Sequence, residues 1–280
     1  MPSISARRRG YDAFEHLCHV AFPEGSKGRL MAMLTAYFDE SYSHKTLAEP
    51  DKPLVYTVAG WVATVEGWRA FRKEWKKALR QAQIQDFHMK DYEWRQGEYA
   101  DWIESKRIKV LRRLHRLIKD HVLWGVNITV SIPAFEEVMT EAARMDYGKT
   151  PYGFDARLCL RQVGFWADAN KITDPINYVF AYMPKQNGEL NWIFDTCLRK
   201  PEVREWFRLN GMWTHAMAKD EPAVQAADIF AYEVNKHVVN YEALGKRPTR
   251  KSYLNLYYGQ RFHDPMYYGK KELMELVSKY

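Results

Sequence analysis

The first strongly apolar run of the chain, Leu34–Asp39, ends on a pair of acids, Asp39 and Glu40. A second run, Leu54–Val65, is rich in β-branched and aromatic residues on both sides of Gly60. Both have the composition of strands. The period then changes: Phe71, Trp75 and Leu79 recur every four residues and predict a helix over Trp68–Gln83. Ile108, Leu111, Leu114 and Ile118 predict another over Glu104–Lys119. Val122, Trp124, Val126, Ile128 and Val130 alternate at period two, giving a third strand within His121–Ile132 that Pro133 stops. Helices are predicted over Phe135–Arg144, Phe154–Ala169 and Glu189–Leu198, with strands at Ile176–Phe180 and Met212–Ala216. Pro222–Val239 reads as a closing helix with proline near its start. This order predicts an α/β fold, a mixed five-stranded sheet flanked by helices.

Composition sharpens the picture in three places. No uncharged apolar run reaches the ~18–20 residues of a membrane span, so no membrane partner is expected. Cys18, Cys159 and Cys197 are widely spaced and form no C-x-x-C, so neither a disulfide framework nor a zinc ribbon is written, and a reducing cytoplasm fits. Arg7, Arg8 and Arg9 are followed by no apolar segment, so a secretory signal is not read there. Residues 1–32 form an expected N-terminal arm, 33–245 the main domain and 246–280 a C-terminal extension. Lys and Arg outnumber Asp and Glu by 42 to 35, a net charge of +7 that favours a polyanionic partner.

Most of that excess lies in the extension, where eight basic residues face three acids. Tyr253, Tyr257, Tyr258, Phe262, Tyr267 and Tyr268 interleave with Arg250, Lys251 and Arg261, as a backbone-tracking, base-stacking surface would require. A self-packed extension or a dimer contact reads the same way. Two helical stripes, Arg69, Arg72, Lys73, Lys76 and Arg80, then Lys109, Arg112, Arg113, Arg116 and Lys119, read as solvated faces.

The candidate chemistry starts where the first strand ends. Alternation places Asp39 and Glu40 on opposite faces, so one can point into a site, although acids that merely end a strand look alike. Asp228 shares a helical stripe with Val224, Ala227, Ala231, Asn235 and Val238, within the packing face. A carboxylate buried there needs a partner, either a lysine such as Lys236 or Lys219, or a metal ion. His88 and Lys90 in Asp86-Phe87-His88-Met89-Lys90-Asp91 are further candidates, with His215 behind them.

Together, Tyr37-Phe38-Asp39-Glu40-Ser41, Ala59-Gly60-Trp61-Val62 and the Gln225-Ala226-Ala227-Asp228 helix resemble a bacterial and phage family, domain of unknown function 3800. The resemblance spans about residues 33 to 240. It implies a ribonuclease-H-like fold of the retroviral-integrase superfamily and metal-dependent phosphodiester hydrolysis. By that resemblance Asp39 and Asp228 are ligands of Mg2+ or Mn2+, Glu40 is an additional one, and His88 orients water or contacts phosphate. Lys90, Lys219, Arg250, Lys251 and Arg261 are then expected to bind nucleic acid, DNA or RNA. Family members carry an acid after the fourth strand, where this chain has Ala181. Either a substitution removed it, or the chain is a degenerate binder, or Asp174 or Asp195 fills in. The neighbouring strand and Gly188-Glu189-Leu190 favour the first.

The expected function is thus a nuclease of phage defence or a mobile element, inactive or weakened by Ala181. The alternative is a non-catalytic nucleic-acid-binding or assembly subunit. A homodimer or a partner protein of a defence system is expected alongside. Positive charge disfavours a small-molecule hydrolase. Restoring an acid at Ala181 is expected to leave stability nearly unchanged, because a strand end lies at the rim of a sheet.

Overall fold

The computed structural model describes residues 33–44, 52–243, 247–258 and 262–279; the expected N-terminal arm and Arg261 lie outside them. Three strands form an antiparallel meander: β1 (Leu34–Tyr42), β2 (Val55–Thr64) and β3 (Trp124–Ser131). On the other side of β1, β4 (Ile176–Ala181) and then β5 (Leu209–Ala216) run parallel to it. The sheet has six strands rather than five, because β6 (Met266–Tyr268) adds in parallel to β3, in the order β5-β4-β1-β2-β3-β6. Three residues are too few to display an alternation, so β6 left no periodic signal in the sequence.

Helices cover both faces: α1 (Val65–Ala82), α2 (Met89–Trp94), α3 (Glu104–His121), α4 (Ile132–Val138), α5 (Glu141–Tyr147) and α6 (Pro151–Ala169). They continue with α7 (Asn187–Arg199), α8 (Pro201–Trp206), α9 (Pro222–Val238), α10 (Lys251–Tyr257) and α11 (Lys270–Val277). The single helix expected over Phe135–Arg144 is two. Met139 leaves helical geometry, and Thr140 starts α5 by accepting the Ala143 N–H at 3.2 Å. Pro133 begins α4 as well as ending β3, since a first helical turn needs no N–H from it.

One face of the sheet packs on α1, α3 and α9 through Trp68, Phe71, Trp75 and Phe230; the other packs on α6 and α7 through Phe154, Val163, Ile193 and Phe194. β2, covered on both faces, is therefore apolar almost throughout. Gly60 is required by close approach. A Cβ there would lie 2.3 Å from the Tyr37 carbonyl and 2.5 Å from the Phe38 ring. That space lets Phe38 stack on Phe180 at 4.8 Å and ties β1 to β4 just below the acids.

Two readings of the basic residues change. Arg72 is no solvated stripe residue. It is buried, and its Nε donates to Glu221 Oε1 at 2.9 Å while its NH2 donates to the Tyr37 hydroxyl. In the C-terminal segment, Tyr253, Leu256 and Phe262 are buried in the first core and Leu273 in the second. Phe262 packs on Phe230 at 4.8 Å, and Tyr253 stacks on His237 at 4.2 Å. These rings are occupied by the protein itself, and Tyr258 alone of the expected stacking tyrosines is strongly exposed.

Candidate functional site

β1 pairs with β4 only as far as Phe38 and Phe180. Asp39 and Glu40, one and two residues beyond that pair, both line one cleft of about 380 Å3. This departs from the expectation that only one of them would. Asp228 enters from α9, and His88 and Lys90 from the start of α2. Glu221 starts α9 by accepting the Ala223 N–H at 3.1 Å, and Pro222 occupies the first turn.

The Gln-x-x-Asp spacing acquires a mechanical meaning here. Residues three apart share a helix face. Gln225 Oε1 accepts the Phe87 N–H at 3.1 Å, and Asp228 Oδ2 accepts the Met89 N–H at 2.6 Å. The two side chains thus grip alternate amides of the segment that carries His88. Gln225 also accepts from Trp75 Nε1 at 2.8 Å and donates to the Ala218 carbonyl at 2.8 Å. Asn235, two turns on, donates to the Ser41 carbonyl at 3.2 Å and anchors the strand end to α9.

The electrostatics are those of crowded acids. Loss of water raises Asp39 well above the ordinary carboxylate range, and the charges of Glu40 and Asp228 add to this. Glu40 is pushed up to about 7, chiefly by burial, although its hydrogen bond with Asp39 pulls the other way. Burial pushes Asp228 up to about 6 against the favourable charge of His88 and the Met89 amide. Burial alone would lower His88, but Asp228 and Asp91 outweigh it, and His88 is raised; its Nδ1 lies 2.8 Å from Asp91 Oδ2.

The remaining candidates separate. Ala181 follows the Phe38–Phe180 pair, one step along the register, and so stands beside Asp39 on the face that packs against α9. It is only 6% exposed, so the position is not a bare rim and an unpaired acid there would be costly. Asp174 is exposed at the opposite end of β4 and Asp195 is exposed on α7; neither lines the cleft, so neither fills the gap. Lys219 is exposed in the turn before α9 and does not line the cleft, and His215 pairs with Phe180 outside it. Arg250 is taken up by protein carboxylates, its Nε 3.0 Å from buried Glu233 Oε2 and its NH2 on Glu93. Lys251 is exposed at the start of α10, away from the cleft lining.

Trp94 and Tyr232, which sequence reasoning passed over, also line the cleft, as does Lys236, considered there only as an ion-pair partner of Asp228. A signal existed for two of them, because Tyr232 and Lys236 follow Asp228 at one and two helical turns. No protein-family model matches the chain, and no curated protein matches it.

Proposed function

We propose that the chain is a ribonuclease-H-like nuclease that hydrolyses phosphodiester bonds in nucleic acid with a divalent metal. One observation carries the reading. Asp39, Glu40 and Asp228 converge on one cleft, and among the described residues no lysine or arginine forms an ion pair with any of them. The mixed sheet, with the acid-bearing strand near its middle and α9 packed across that strand's end, supports the fold half of the resemblance.

The donor set suits a hard cation. Mg2+ is typically held by one or two carboxylates together with waters and substrate phosphates, not by a full protein cage. Among the described residues, no three His, Cys, Asp or Glu side chains form a ready-made ion site. Asp39 and Asp228 would hold the ion, with Glu40 the next candidate. Bound there, Mg2+ or Mn2+ supplies the positive charge that activates water and stabilises a leaving oxygen. The protein's own part is positioning: Asp228 commits Oδ2 to the Met89 amide and keeps Oδ1 for a ligand. His88, with Nδ1 on Asp91, keeps Nε2 for a phosphate oxygen or a water.

Ala181 favours a second reading, a chain that binds nucleic acid without cutting it, because the position beside Asp39 has no carboxylate. The test incubates the parent chain and Ala181→Glu with labelled DNA and RNA in Mn2+. Ala181→Glu is expected to cleave and the parent to cleave little, with chelator or an added Asp39→Asn abolishing the cut. Binding by both forms with cleavage by neither would establish the second reading.

A further inference from the structure

The acid cleft does not end at the acids. Trp94, Tyr232 and Lys236 line it and also line a second hollow, which continues past Glu93 to Arg247 and Arg250. The two hollows form one groove, acidic at one end and basic at the other. In the second hollow Lys236 and Arg247 are cationic, while Arg250 is committed to Glu93 and Glu233. Lys236 and Arg250 both stand over the Tyr232 ring, at 5.3 and 5.8 Å.

Trp94 stands at the same junction with 65% of its surface exposed. A ring held open beside a cationic groove offers a face on which a base can stack. It is fixed by the end of α2, where Arg95 closes the helix in the left-handed conformation (φ 53°) with its N–H on the Asp91 and Tyr92 carbonyls. Tyr42, which also lines the acid cleft and is 46% exposed, is backed by Tyr56 in a parallel stack at 5.5 Å.

We propose that this groove is the track for a single-stranded nucleic acid, whose bases stack on Trp94 while its phosphates follow Lys236 and Arg247 away from the acids. Duplex bases are already stacked on one another, so an exposed ring beside a phosphate track rewards only a strand with free base faces. The proposal rests on the nuclease reading for its direction, since it sets the strand to be cut over Asp39 and Asp228.

Binding is measured in chelator, which separates it from cleavage, by anisotropy of labelled 12-mers of deoxythymidine and of uridine and of a 12-base-pair duplex. At least one single strand is expected to bind about tenfold tighter than the duplex. Trp94→Ala should weaken that binding by about tenfold, within the range of one lost base stack. Trp94→Phe, which keeps a ring, should retain most of it. Lys236→Gln and Arg247→Gln should each lower the log–log salt slope by about 0.7. Equal binding of duplex, or an unchanged affinity in Trp94→Ala, overturns the track. If Ala181→Glu cuts a strand and Trp94→Ala neither weakens binding nor slows the cut, the track is wrong and the nuclease reading stands. If Trp94 controls binding and no variant cuts in Mn2+, the nuclease reading fails and the track stands.

Discussion

Asp39 is framed by methyl groups: Ala59 pairs with it from β2, and Ala181 stands beside it from β4. Small neighbours let α9 approach closely and leave the carboxylates with little water, which is why they release their protons at higher pH than free carboxylates do. The pH dependence of stability follows with a definite sign. In the unfolded chain these acids titrate near pH 4. In the folded chain Asp228 titrates near 6 and Glu40 near 7. Between those limits the unfolded form has released protons that the folded form retains, so raising the pH favours unfolding. His88, also raised, acts in the same direction. The melting temperature in chelator should therefore fall by about 5 °C between pH 5 and 8, roughly what 1–2 kcal/mol is worth in a chain of this size. Asp39→Asn should flatten the fall, and Mn2+ should reverse it at pH 8. A flat profile in chelator would show that the acids are not confined as described. Ala181→Glu, placing a further acid in the same enclosure, should lower the pH 8 melting temperature unless Mn2+ is present, contrary to the sequence-based expectation of near neutrality.

At the scale of elements, α9 does several jobs with one face. It packs Phe230 on Trp61 at 4.2 Å, accepts Trp61 Nε1 at the Ala226 carbonyl, grips the His88 segment and presents Asp228. Gln225→Ala should therefore cost more than its size suggests. It strands the Phe87 amide, the Trp75 indole and the Ala218 carbonyl, at roughly 1–3 kcal/mol for each buried group left unpaired. Denaturant unfolding should show a loss of at least about 2 kcal/mol; a loss under about 0.5 would mean that water replaces all three bonds. Such elements were legible where a local period recorded them: the β1 run, the Phe71-Trp75-Leu79 repeat and the stripe through Asp228 each describe a face that packs. Features decided by distant partners left no such record. Arg72 reads as one more surface cation until Glu221 is seen to meet it, and α2 is too short to show a period. Trp94 became a cleft residue only when the fold set α2 against α9.

For the molecule as a whole, the C-terminal segment is structural before it is anything else. Arg250 neutralises Glu233, whose side chain is 0% exposed, and removing one partner of such a pair leaves an uncompensated buried charge. Arg250→Ala should thus lower stability by about 3–5 kcal/mol in denaturant unfolding, and a loss below 1 would show that Glu233 is held by other means. Deleting residues 246–280 is correspondingly a poor probe of ligand binding. It would uncover Phe230 and Trp61, against which Phe262 packs, and open the edge of β3. That edge also sets a timetable for biosynthesis. A ribosome delivers β3 long before β6, so for much of translation the nascent chain exposes an unpaired row of amides and carbonyls flanked by apolar residues. Until β6 emerges the sheet cannot close at that edge, so the demand for chaperone protection persists over the whole interval between the two strands.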